Sequence, residues 1–187
     1  VISPPLSETP EVLAAIEELN LSYVRIIPGS HDSVESTPCV FVHDQDAAYK
    51  ITEHLIQQGH TDIAFIGGDK EHRSTDERLN GYMAALKAYQ ITFKTDYIID
   101  GQYTFDSGAT GAKTLLSLEQ TPTAIFCCND EIAAGALFAA RLSGLQIPQQ
   151  LAIAGFEDSP FSRQTLPQLT TAAQPTNMIA RKAAGLL

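Results

Sequence analysis

Apolar and polar positions alternate along this chain in blocks of two kinds. Short apolar runs recur at Tyr23–Ile27, Cys39–Val42, Ile63–Gly67, Tyr97–Asp100, 124–128 and Leu151–Gly155. Between them lie longer stretches in which apolar residues return every three or four positions: Glu8–Asn20, Asp46–Gln58, Asp76–Tyr89, Asp106–Leu118 and Ile132–Leu142. In Asp76–Tyr89, for example, Leu79, Tyr82, Met83 and Leu86 share one face. The short runs predict strands and the periodic stretches predict helices. Val1–Ile2 predicts a strand stub, Thr170–Thr171 a short strand and Thr176–Leu187 a last helix. Pro10 fits a first helical turn and Gly59 a helix end. Polar loops are expected over Pro28–Pro38 and Gly68–Thr75.

The most telling stretch runs from Pro122 to Asp158. An apolar strand ends in Asn129-Asp130, a small-residue helix follows, and a second apolar strand ends in Glu157-Asp158. Uniformly apolar strands separated by a helix predict a parallel βαβ unit covered on both faces. Repeated along the chain, the pattern predicts an α/β fold. In such sheets ligands bind beyond the carboxyl ends of the strands, where Asn129, Asp130, Glu157 and Asp158 are expected.

Composition narrows the function classes. The 187 residues are 44% apolar and 18% charged, enough for a sizeable core in one domain or two small lobes. A net charge of −10 argues against a nucleic-acid surface on this segment. No apolar run approaches the ~20 residues of a membrane span. Cys39, Cys127 and Cys128 are too few and ill-placed for a disulfide framework, so free buried thiols in a reducing compartment are expected. Asn20-Leu-Ser22 fits a glycosylation sequon, a pattern common by chance. Gly108-Ala-Thr-Gly111-Ala-Lys113-Thr114 lacks the Gly-Lys pair of a phosphate loop. G-x-G-x-x-G, G-x-S-x-G and C-x-x-C do not occur, and His31, His43, His54, His60 and His72 lack metal-ligand spacing. The expectation is therefore no enzyme, no metal and no cofactor; an α/β hydrolase or dehydrogenase is disfavoured.

Seven segments then fall into one order. They are Leu55-Ile-Gln-Gln-Gly-His-Thr-Asp-Ile-Ala-Phe-Ile-Gly-Gly68, Arg78-Leu-Asn-Gly-Tyr82, Gly101-Gln-Tyr-Thr-Phe-Asp-Ser-Gly108, the run from Pro122 to Leu137, Gly144-Leu-Gln-Ile-Pro148, Ile153-Ala-Gly-Phe-Glu-Asp158, and the run from Pro167 to Pro175. Together they resemble the effector-binding core of the LacI/GalR transcriptional regulators. The resemblance implies a periplasmic-binding-protein-like type I fold: two Rossmann-like lobes with parallel sheets, the N-terminal lobe incomplete. Residues 1–42 and 174–187 would belong to the N-terminal lobe and 43–173 to the C-terminal lobe. It further implies a cytoplasmic, allosteric regulator. A small effector, most simply a sugar, would bind between the lobes, and operator DNA would be contacted through a helix-turn-helix headpiece outside this sequence. The alternative is a periplasmic sugar-binding protein feeding a transporter or chemoreceptor.

The same resemblance implies ligand-binding residues. Arg78, expected in the first turn of its helix, would offer a fork of donors to hydroxyls or a carboxylate. Arg73 matches a second arginine of some members. Tyr103 matches an aromatic that packs on the ligand. Asn129 would bond the ligand, cap the following helix, or both. Glu157 matches the family's effector-binding aspartate, with neighbouring Asp158 as the alternative. Gln174 and Ser3 complete the set. The helix Ile132–Leu142 would pack on its own sheet or carry a homodimer contact.

Overall fold

The computed structural model describes residues 1–28 and 37–187. The expected loop over Pro28–Pro38, with His31, lies largely outside the described residues. Two parallel sheets are present. A two-stranded sheet pairs β1 (Arg25–Pro28) with β2 (Cys39–Val42). A five-stranded sheet has the order β4-β3-β5-β6-β7, with β3 at Ile63–Ile66, β4 at Ile98–Ile99, β5 at Ala124–Cys127, β6 at Ala152–Glu157 and β7 at Thr170–Ala173. Every pairing is parallel. The helices are α1 (Pro10–Glu18), α2 (Asp44–Gln57), α3 (Arg73–Ala88), α4 (Phe105–Leu116), α5 (Asp130–Leu142), α6 (Pro160–Gln164) and α7 (Thr176–Ala184).

The strands at the centre of the large sheet are apolar throughout because both their faces are covered. In β3, Phe65 meets Tyr82 of α3, while Ile66 points toward Gly111 of α4. The α2–α3 pair therefore covers one face and the α4–α5 pair the other. Phe65, Phe126 and Phe156 run as tilted and edge-on ring contacts through the layer under α2 and α3. A second small core, Val24, Val40 and Ala183 with Ile26 and Ile179, joins α7 to the two-stranded sheet.

The chain order reverses between β3 and β5, which are neighbours although α3, β4 and α4 separate them in sequence. This switch point is where open α/β sheets bind ligands. The loops after β3, β4, β5 and β6 all emerge at that end.

Several boundaries differ from the sequence reading. Helix α3 starts at Arg73, not Asp76, and α2 at Asp44, not Asp46. Arg78 is consequently in the second turn of its helix rather than the first. Val1–Ile2 makes only an isolated bridge, Ile2 to Arg25. The polar burst after β6 contains a short helix, α6, opened by Pro160. A 3₁₀ turn at Leu6–Glu8 precedes α1.

Candidate functional site

Arg78 organises the site. The second turn of α3 aims it inward, and its side chain is only 3% exposed. Its Nε and Nη2 donate to Asp44 Oδ2 at 3.0 and 2.9 Å. Its Nη1 donates to the Cys128 carbonyl at 2.6 Å and to Glu157 Oε1 at 3.2 Å. The guanidinium also lies 4.1 Å over the Phe156 ring. Partners thus come from the start of α2 and the ends of β5 and β6. Burial alone would lower the Arg78 pKa, but the charge of Asp44, aided by Cys128, Tyr103 and Glu157, raises it above its ordinary value. Burial pushes the Glu157 carboxyl above the usual range, although Arg78 opposes the shift.

Asp44 was not among the residues expected from sequence. It is 2% exposed and also accepts from Gln174 Nε2 at 3.3 Å. Its signal was available: it follows the apolar run Cys39–Val42, the same strand-end position that singles out Asn129 and Glu157.

Glu157 and Asp158 both have positive φ, 103° and 54°. Such backbone costs of order 1–3 kcal/mol per residue and persists where surroundings enforce it. Here Asp130, fully buried at the start of α5, does so. Its Oδ2 accepts from the Ser159 N–H at 2.7 Å, and its Oδ1 from Thr171 Oγ1 at 2.6 Å. The twist separates the two acids. Glu157 turns to Arg78, and Asp158 turns to Ser162 and Arg163, at 3.0 and 2.6 Å.

Beside this cluster opens a cleft of about 300 Å³, lined by Ser3, Arg78, Glu157 and Gln174 among others. A more apolar hollow of about 350 Å³ adjoins it and shares Val42, Asp44, Gln174 and Ile179. Both lie between the two sheets, at the lower end of the ~300–1,000 Å³ typical of small-molecule sites. Among the described residues no group of three potential metal ligands converges, and no helix is long and apolar enough to cross a membrane.

Three expected residues stand outside the lining. Asn129 Oδ1 accepts from the Ile132 N–H at 2.9 Å and caps α5. Arg73 pairs with Glu77 at 3.5 Å along α3 and lies near the Glu8 carboxylate. Tyr103 is held away from the opening: its hydroxyl meets Thr75 Oγ1 at 2.9 Å and Cys128 Sγ at 3.4 Å. Ser3, Arg78, Glu157 and Gln174 are brought together, with Asp44 joining them.

Comparison with known proteins agrees with this fold. The family described as a periplasmic binding protein-like domain matches residues 52–187. The probable repressor ExuR of Bacillus subtilis is 37% identical over 141 residues, covering 75% of this chain and 42% of that protein. The repressor CytR of Escherichia coli is 39% identical over 150 residues, covering 80% and 44%. The chain therefore spans about half the length, or less, of these curated relatives. Among solved structures, a LacI-family regulatory protein from Chloroflexus aggregans superposes with a TM-score of 0.85 at 32% identity, over 94% of this chain and 63% of that one. The transcriptional regulator CelR in complex with cellobiose superposes with a TM-score of 0.87 at 29% identity, over 94% and 54%. With its parallel sheets, its strand-end cluster and these relatives, the chain belongs to the periplasmic binding protein-like domain family, on the LacI/GalR regulator branch.

Proposed function

We propose that this chain is the effector-binding core of a transcriptional regulator that takes a sugar between its two sheets. The carrying observation is the buried Arg78–Asp44–Glu157 cluster at the wall of the cleft, with Gln174 tied to Asp44. Four donations from Arg78 go to protein atoms, so its main task is to position Glu157 and Asp44 as acceptors for hydroxyl groups. Glu157, a third exposed, presents its carboxylate to the opening. Ser3 and Gln174 add a hydroxyl and an amide from the other wall. Arg73, Tyr103 and Asn129 are outer contacts that come into play when the walls move.

In this reading residues 1–42 and 174–187 form part of one lobe and 43–173 the other, and Gln174 marks a crossover. Effector binding changes the lobe angle. In a homodimer that alters the spacing of two DNA-binding headpieces, which must match operator half-sites. An effector acts only through its different affinity for the two lobe arrangements. The outer face of α5 supplies the dimer contact: Phe138 and Leu142 are 49% and 67% exposed there, beside Phe161 of α6. The curated relatives above are repressors, which favours a cytoplasmic regulator over a periplasmic carrier.

A thermal-shift screen of the full-length regulator against mono- and disaccharides tests the reading. A binding sugar raises Tm with concentration, and Glu157→Gln, which keeps size and fold, abolishes the shift while leaving operator binding intact. A sugar response undiminished in Glu157→Gln removes the site assignment.

A further inference from the structure

His72 ends the loop after β3 and immediately precedes α3. Its ring stacks on Tyr103, with centroids 5.4 Å apart and planes at 23°. Tyr103 is otherwise held on the protein. Its ring lies so close to the Gly68 backbone that a Cβ there would come within 2.4 Å of it. Thr75 and Cys128 hold its hydroxyl. The imidazole covers the other side of the ring, and His72 makes no side-chain capping bond to α3. The cleft lining reaches Ser74 in the first turn of α3 but stops short of Tyr103.

We propose that His72 is a placeholder on the Tyr103 ring, and that an effector with a flat apolar face flanked by hydroxyls, as in a pyranose, displaces it. This rests on reading the cleft as the effector site. An aromatic face left in water loses the benefit of burial, so a stacked imidazole keeps the ligand-free protein closed at this point. Swinging it out would extend the cleft past Ser74 onto the Tyr103 ring. The displaced ring has a polar neighbour across the gap, because the Glu8 carboxylate of the 3₁₀ turn already faces His72 and Arg73. The side chain at position 72 then sets both affinity and the size of ring admitted. A site competent only while His72 is away binds more weakly in proportion to that fraction.

The test uses the full-length regulator with ¹³C-labelled histidine, titrated with D-glucose, D-galactose, D-xylose and cellobiose. In the ligand-free protein one imidazole signal, lost in His72→Asn, is shifted upfield by the Tyr103 ring current. A sugar that raises Tm should move that signal toward the position of free histidine. The same sugar should bind His72→Ala about 3-fold tighter or more, since no cover remains to be displaced. A sugar that raises Tm yet leaves the His72 signal in place and binds His72→Ala no better overturns the proposal. If none of the sugars raises Tm, the sugar reading falls, and the placeholder is decided without ligand. Relaxation dispersion at the His72 ring should show stacked–unstacked exchange on the μs–ms scale; a flat profile overturns it.

Discussion

Arg78 commits most of its guanidinium to the protein itself, and that makes its counter-ions indispensable. A buried cation that loses a partner costs far more than the pair contributes. Asp44→Asn keeps the shape but removes the charge facing Nε and Nη2, and should destabilise by about 3–5 kcal/mol, measured by urea unfolding. Glu157 behaves differently. Burial raises its pKa in the folded state, so its favourable contribution is complete at pH below its unfolded value and is lost as pH rises through its folded value. Glu157→Gln, which cannot ionise, should therefore gain stability relative to the parent as pH rises above 4.5; equal pH profiles for the two proteins would contradict this. At this scale the sequence revealed much. Glu157 stands at the strand end where the apolar pattern put it, and Arg78, singled out by the family pattern, lies beside it, one helical turn later than expected. Asp44 escaped because Val-His-Asp-Gln-Asp is also a good start for a helix, where acids in the first turn are ordinary helix-dipole partners. Tyr103 was expected on the ligand, but its stacking under His72 depends on a loop backbone that sequence does not encode locally.

At the level of elements, two helix pairs hold the sheet, and α4–α5 shows how closely. A Cβ at Gly135 would lie 1.9 Å from the Phe105 carbonyl, and one at Gly108 would lie 1.9 Å from the Ile132 carbonyl. The glycines are reciprocal: each helix gives up a side chain where the other's backbone crosses. Gly135→Ala favours an isolated helix by about 1 kcal/mol, yet here it should lower stability by about 1–3 kcal/mol through overpacking, seen as a reduced Tm. The small-residue composition of α5 left two readings open, its own sheet or a second subunit. The structure shows that the inner small residues serve α4 and β6. The start of α3 was misread because no glycine or proline separates the loop from the helix between His72 and Asp76. The opening of α6 at Ser159-Pro160 carries a legible cap-and-proline signal, but the helix is too short to show periodicity.

Across the whole molecule, two sheets meet at a cleft whose walls come from segments far apart in sequence: Ser3 and Gln174 from one side, Arg78 and Glu157 from the other. The alternation of strands and helices made the class of fold legible, and the run Pro122–Asp158 pointed to the sheet edge at which the Arg78 cluster lies. The pairing of β3 with β5, which creates the switch point, depends on crossovers spanning α3, β4 and α4 and has no local signature. Association belongs to this scale as well. If α5 and α6 form the proposed dimer face, Phe138→Glu in the full-length protein should yield monomers in analytical ultracentrifugation at concentrations where the parent is dimeric. A parent-like dimer would move the contact elsewhere.

The strand β4 gives that association a direction. Only Ile98 and Ile99 pair with β3 there, so this margin offers a neighbouring chain almost no row of free amides and carbonyls to extend. A sheet with so short a border resists growth from molecule to molecule. At this margin copies are left to meet through side chains on helices, a contact that closes on itself when it is two-fold symmetric. A sheet that ends this abruptly at β4 suits a protein that pairs once, as the proposed dimer does, and then stops.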